Sequence, residues 1–254
     1  MVAKNLGFKD FIPPYTKVKR KDVLNGVNYA SAGSGILDES GDNLGEHFSF
    51  NKQILHHKKV ISQIETLQGN KTYTKDYLKK CLYTIHIGSN DYINNYFAPK
   101  TLHKRHKFSP NQFATILINQ LSQNLKASCA PAEKRLFGKR NTCVKEINDA
   151  LNIFMAKKRI LLADLNRNLT DAKFVIPDLD IPKNVVPQFE GNILVNNAPC
   201  CKVSTKLRTR GQCLHTNRTC YGRTRYWFFD GFHPTEFANI FYSSKMMLAI
   251  CKLL

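Results

Sequence analysis

Asp230 and His233 stand three residues apart in the run Tyr226-Trp227-Phe228-Phe229-Asp230-Gly231-Phe232-His233-Pro234-Thr235-Glu236, near the C-terminus. A histidine moves protons near neutral pH when a carboxylate fixes its tautomer and stabilises its cation. A spacing of three across a turn lets one side chain reach the other. The aromatic run before the pair holds the only tryptophan and reads as buried. Proline suits the first position of a helix, and an apolar run from Phe237 to Leu248 follows Pro234. Both side chains are therefore expected on the turn into the last helix. Alone, such a pair is more often a surface contact or a helix cap.

Two other stretches could serve the same chemistry. Ser31-Ala32-Gly33-Ser34-Gly35-Ile36 has residues small enough for backbone amides to approach a ligand, although a plain strand-to-helix turn reads the same way. Gly88-Ser89-Asn90-Asp91-Tyr92 is a polar turn that closes the apolar run Cys81 to Ile87. In open α/β sheets, ligands bind beyond the C-terminal ends of the strands, where such turns lie. His86, inside that run, reads as a packed histidine.

The elements that must position these residues follow from periodicity. Segments 23–30, 81–87 and 172–177 read as strands, the second of them buried. Residues 51–68 carry Ile54, Val60, Ile61, Ile64 and Leu67 at helical spacing. Ser109-Pro110 caps an amphipathic helix with Phe113, Ile116, Leu117, Leu121 and Leu125 on one face. A longer helix starts near Cys143, with Val144, Ile147, Leu151, Phe154, Leu161, Leu165 and Leu169 as its stripe. Residues 178–225 read as loop. Alternating strands and helices predict an α/β fold, a parallel sheet with helices on both faces.

The 254 residues suffice for one domain with a sizeable core. A formal charge of +19 invites a nucleic-acid reading, but the lysines are dispersed and no nucleic-acid motif accompanies them. A solvated basic surface suited to anionic polymers or membranes is the better reading. No stretch approaches the length of a transmembrane segment. None of the eight cysteines forms a Cys-x-x-Cys pair, so no metal is expected. Four of them crowd into 200–220 and are expected to form at least one disulfide. With sequons at Asn70, Asn168 and Asn217, they lean toward a secreted lineage, yet Met1 to Lys9 is no signal peptide. That mismatch suggests an incomplete N-terminus.

Three separated blocks carry a family resemblance. Leu24-Asn25-Gly26-Val27-Asn28-Tyr29-Ala30-Ser31-Ala32-Gly33-Ser34-Gly35-Ile36 resembles the second block of the plant GDSL esterase/lipases, within the SGNH hydrolase superfamily. Ile87-Gly88-Ser89-Asn90-Asp91-Tyr92 is similar to the third block and Phe229 to Glu236 to the fifth. Ala198-Pro199-Cys200-Cys201 matches between them. The resemblance covers nearly the whole chain as one incomplete domain, 1–254. It implies a flavodoxin-like three-layer sandwich and a serine esterase or lipase acting on a small-molecule or lipid ester, without cofactor. It also implies His233 as general base, Asp230 as its orienting carboxylate, and Asn90 and Gly35 as oxyanion-hole donors, with Gly33 the alternative to Gly35. Each such donor lowers an acyl-transfer barrier by roughly 3 kcal/mol.

The chain departs from the family at its first block, Gly-Asp-Ser-Leu, which carries the nucleophile and is absent. Ser31 and Ser34 stand in the second block, at the wrong strand to replace it, and Ser89, beside Asn90, would point at different geometry. The chain also runs from Gln123-Asn124-Leu125-Lys126 straight to Ala127-Ser128-Cys129-Ala130-Pro131, without the strand that family members have there. Strands one and four are thus missing, and in the order 2-1-3-4-5 they are the neighbours of the survivors. A truncated, inactive chain is the expectation. The alternatives are a non-catalytic binding remnant that keeps part of an ester or carbohydrate cleft, and a basic binder of anionic polymers.

Overall fold

The structure is a computed structural model that describes residues 2–98, 107–120, 144–168, 173–177, 179, 195–204 and 211–253. Its contacts fall into two units. One comprises Met1–Asn5, Lys126–Asn152 and Val175–Leu254, and the other Leu6–Leu125 and Ile153–Phe174.

The larger helices follow the hydrophobic period. Helix α1 spans Phe50–Gln68 and is capped by Ser49, whose side chain accepts from the Lys52 N–H. It buries Val60 and Ile64 against Val23, with Tyr15, Leu24, Tyr77 and Leu78 packed around them. Helix α2, Lys71–Lys79, was not legible in the sequence. Its cap is Asn70, which accepts from the Tyr73 N–H, so that sequon asparagine also works as a helix start.

Helix α3, Pro110–Gln120, begins with a reciprocal cap: Ser109 Oγ accepts from the Gln112 N–H, and Gln112 Oε1 accepts from the Ser109 N–H. It buries Phe113, Ala114 and Leu117; Leu121 and Leu125 lie outside the described residues. Tyr96 stacks on Phe113 at 4.6 Å, while Tyr92 meets Phe113 edge-on at 5.5 Å and Phe154 at 6.0 Å. Helix α4, Lys145–Asn168, buries Ile147, Leu151 and Phe154. Beyond them the interior position falls to Lys158, and Leu161 and Leu165 are only half-buried. Burial, then Arg159, pushes the Lys158 amine down to about 7.

The strands differ from expectation. Residues 20–25 form a 3₁₀ helix, and only Asn28, bridged to Pro14, is paired in segment 23–30. Residues 173–177 form no ladder, and 172 lies outside the described residues. Segment 81–87 is irregular apart from one bridge at His86, and it is exposed rather than buried from Leu82 to His86. His86 is open to solvent at its edge, yet enough protein surrounds the ring that burial, then Lys158, lowers its pKa below 6.5. A strand exists only through its neighbours' N–H and C=O groups, so a strand-like sequence without them leaves its backbone to water.

The one sheet among the described residues lies elsewhere. Strands β1, Val195–Pro199, and β2, Tyr226–Phe228, pair in parallel. β1 falls in the stretch that reads as loop. β2 is the aromatic run, and it buries Trp227 against Ala238, Phe237, Phe241 and Tyr242 of helix α5, Glu236–Ile250. The disulfides Cys200–Cys220 and Cys201–Cys213 fasten the loop that follows β1.

Thr235, rather than Pro234, starts the last helix. Its Oγ1 accepts from the Ala238 N–H at 3.3 Å and donates to the Tyr226 carbonyl at 2.6 Å. Thr235→Ala is expected to lower stability by about 1–2 kcal/mol, and Thr235→Ser to retain most of it, as read by urea unfolding.

Candidate active site

The Asp230–His233 turn is built by β2 and α5. After β2 the chain doubles back: the Phe229 N–H donates to the His233 carbonyl at 2.8 Å, and the Thr235 N–H to the Trp227 carbonyl at 2.9 Å. Phe228 and Pro234 form an antiparallel bridge across the same loop. The five residues 229–233 therefore have little freedom, and Asp230 points inward at 4% exposure.

Inside the loop the carboxylate is saturated. Its Oδ1 accepts from the backbone N–H groups of Phe232 at 2.9 Å and His233 at 2.8 Å. Its Oδ2 lies 2.8 Å from His233 Nδ1 and accepts from the Cys213 N–H at 3.2 Å. The disulfide to Cys201 holds Cys213 there, and the Cys201 N–H in turn donates to the Phe229 carbonyl at 2.7 Å. Cys213 thus supports the carboxylate through its backbone, a role no residue-type pattern reveals. The crowding of cysteines was the only signal.

This arrangement sets the state of the imidazole. With a carboxylate at Nδ1, that nitrogen carries the proton and Nε2 presents its lone pair. The His233 side chain is 67% exposed, so Nε2 is reachable from solvent. The Asp230 hydrogen bond raises the His233 pKa above 6.5, against a smaller opposing effect of burial. Burial pushes the Asp230 carboxyl up, but the His233 contacts and the Phe232 N–H outweigh it and leave the carboxyl below its ordinary value.

A base must be neutral to accept a proton. Any rate that depends on His233 should therefore rise with pH along an acid limb whose midpoint lies above pH 6.5, measured as kcat/KM against pH. Stability runs the other way. The raised histidine pKa contributes stability below 6.5, lost as pH rises through the folded value; the lowered carboxylate pKa contributes above 3.8, lost as pH falls.

Gly35 and Asn90 come together in the other unit. Gly88, at φ 110°, starts the short helical turn Ser89–Asp91, and a left-handed backbone there needs glycine. Asn90 Nδ2 donates to the Ser34 carbonyl at 2.9 Å, and its Oδ1 accepts from Asn94 Nδ2 at 2.5 Å. An amide nitrogen has two hydrogens, so one donor remains. At Gly35 a Cβ would lie 2.3 Å from Ser40 Cβ and 2.8 Å from both Asp91 oxygens. At Gly33 it would meet nothing closer than 3.6 Å, although φ is +80°. Ser34 is 7% exposed with its Oγ accepting from Gln53, and Ser31 Oγ accepts from the Phe48 N–H. Both hydroxyls are committed to structure.

A buried carboxylate that fixes an accessible imidazole is an arrangement able to take a proton from a nucleophile. The chain belongs to the GDSL-like lipase/acylhydrolase family, whose model matches residues 1–245. Among similar proteins of Arabidopsis thaliana, GDSL esterase/lipase At1g29670 is 38% identical, with 94% of this chain and 71% of that protein covered. GDSL esterase/lipase At5g45670 is 36% identical over 94% and 72% of the two chains, and At4g18970 is 36% identical over 96% and 73%. The family is α/β, and the small parallel sheet is the part of that architecture formed by the described residues. No described helix is long and apolar enough to cross a membrane.

Proposed function

We propose that this chain is the base-and-oxyanion portion of a secreted esterase or lipase that hydrolyses carboxylic esters. The observation that carries the reading is the Asp230–His233 pair, 2.8 Å apart, with the carboxylate buried and the imidazole open. In this reading His233 removes the proton from an attacking serine and returns it to the leaving alcohol. Asp230 holds the tautomer and stabilises the imidazolium. The Gly35 N–H and the remaining Asn90 N–H donate to the oxyanion of the tetrahedral intermediate. The two disulfides support an oxidising compartment, where such bonds persist. The substrate is a small-molecule or lipid ester, and the reaction requires no cofactor.

Residues 1–254 contain no Gly-Asp-Ser-Leu block, so by this proposal they do not turn over esters unaided. We read them as one incomplete domain of a flavodoxin-like sheet, in which 23–30, 81–87 and 172–177 lack strands one and four as neighbours. The exposure of Leu82, Tyr83 and Ile85 supports that reading, since a central strand buries such side chains.

The test is hydrolysis of a short-chain p-nitrophenyl ester. Residues 1–254 alone are expected to give the uncatalysed rate, and the same chain joined to an upstream Gly-Asp-Ser-Leu segment to give turnover. Robust turnover by residues 1–254 alone would overturn the proposal.

A further inference from the structure

Asn90 and Asp91 are neighbours in sequence and grip the same turn from two sides. Asn90 Nδ2 holds the Ser34 carbonyl at 2.9 Å. Asp91 Oδ2 accepts from the Ile36 N–H at 2.7 Å, and its Oδ1 from the Leu37 N–H at 2.9 Å. The residue between these grips is Gly35, whose own N–H has no hydrogen-bond partner among the described residues. Ser40 completes the clamp: its Oγ donates to Asp91 Oδ1 at 2.7 Å and accepts from Asn95 Nδ2 at 3.0 Å. Asp91 and Ser40 are both fully buried.

A buried carboxylate is costly unless hydrogen bonds replace its hydration. Here three donors do so, yet burial still pushes the carboxyl up to about 6. A folded value above the ordinary 3.8 means that ionisation opposes folding, increasingly as pH rises from 3.8 through about 6. At neutral pH the charge therefore costs fold stability. What it does provide is a fixed backbone: two consecutive N–H groups tied to one carboxylate, with the Gly35 N–H left pointing elsewhere. The absence of a Cβ at Gly35 is what lets the turn approach Asp91 so closely, since any Cβ would sit 2.8 Å from its oxygens.

We infer that Asp91 is the positioning residue of the Gly35–Asn90 donor pair, holding the 34–37 turn against the helical turn that carries Asn90. The inference rests on the oxyanion reading of Gly35 and Asn90 proposed above. Asp91 touches no substrate in this account; it fixes where the two donors stand.

The experiment uses nitrogen-15-labelled residues 1–254, with amide exchange and a methylphosphonate titration as readouts. Methylphosphonate offers the tetrahedral oxyanion. In the wild-type chain, the Ile36 and Leu37 amides should exchange slowly, and methylphosphonate should shift the Gly35 amide and the Asn90 side-chain amide. Asp91→Asn, with its circular dichroism retained, should speed exchange at Ile36 and Leu37 by about 10- to 100-fold and abolish both shifts. Ser40→Ala keeps the carboxylate and should speed exchange by about 2- to 10-fold. If Asp91→Asn does not fold, Ser40→Ala carries the test, and unchanged exchange at Ile36 and Leu37 in that variant overturns the inference. Undiminished protection and phosphonate shifts in a folded Asp91→Asn chain overturn it too. Loss of protection in Asp91→Asn, with no phosphonate shift in the wild-type chain, leaves the clamp in place and overturns the oxyanion reading beneath it.

Discussion

Asp230→Asn, in the chain completed with a Gly-Asp-Ser-Leu segment, is expected to lower kcat for ester hydrolysis by roughly 10⁴-fold. The size follows from what the carboxylate holds. Asp230 accepts from three backbone N–H groups and from His233 Nδ1, so every oxygen lone pair it presents faces a donor. An asparagine can accept at one oxygen only, and its amide would turn hydrogens toward donors. With the backbone donors keeping the oxygen, the amide faces Nδ1 and favours the tautomer that places the proton on Nε2. The base is then blocked at the atom that must accept the proton. The measurement is kcat for a p-nitrophenyl ester, with KM followed separately. A fall confined to KM would mean that Asp230 serves binding and not the base.

Trp227→Ala is expected to destabilise the chain by about 3–5 kcal/mol, the range for removing a large aromatic from a packed core. Trp227 is 2% exposed and meets Phe237 at 6.2 Å, Phe241 at 5.4 Å and Tyr242 at 5.5 Å between ring centroids. Its indole N–H donates to the Tyr242 hydroxyl at 3.2 Å. Because the Trp227 carbonyl also receives the Thr235 N–H, the same residue links the strand to the start of α5. Losing the ring should therefore loosen the turn that carries Asp230 and His233. Denaturant unfolding gives the number, with Tyr221→Ala at a fully exposed ring as the control expected within about 0.5 kcal/mol of wild type. A Trp227→Ala loss below about 1 kcal/mol would contradict the packing account.

Helices α1, α3, α4 and α5 were legible and the strands were not, and the difference is physical. Helix α1 satisfies its backbone internally, so the spacing of Val60 and Ile64 and the cap at Ser49 locate it without reference to the rest of the chain. Segment 81–87 has the composition of a buried strand, but that composition fixes nothing unless neighbours supply a ladder, and Leu82 to His86 stand exposed. The converse holds at Val195-Asn196-Asn197-Ala198-Pro199. It lacks strand-forming composition, yet it pairs with β2 and is tied down by Cys200 and Cys201 beyond it. Helix α2 escaped notice because its first turn has little apolar period, and only the Asn70 cap marks it.

At the candidate site the side chains were readable and their supports were not. Asp230 and His233 announce themselves by type and spacing, since a carboxylate and an imidazole three apart on a turn can meet. The Cys213 N–H on Asp230 and the Ile36 and Leu37 N–H groups on Asp91 are backbone contacts, which leave no mark in residue types. Asp91 read as part of a polar turn, and its depth became visible only once the turn was folded. The proline before Thr235 misled in a small way: it suits a helix start, but the hydroxyl one residue later makes the cap.

By the proposal above, His233, held by Asp230, is the base of an ester hydrolysis. The most direct measurement compares p-nitrophenyl ester turnover by the Gly-Asp-Ser-Leu-completed chain with that of its His233→Ala variant under identical conditions. The expected result is a loss of roughly 10⁴-fold or more, leaving only the small residual rate that oxyanion donors sustain without a working base. Turnover that survives His233→Ala within about tenfold of the parent would contradict it.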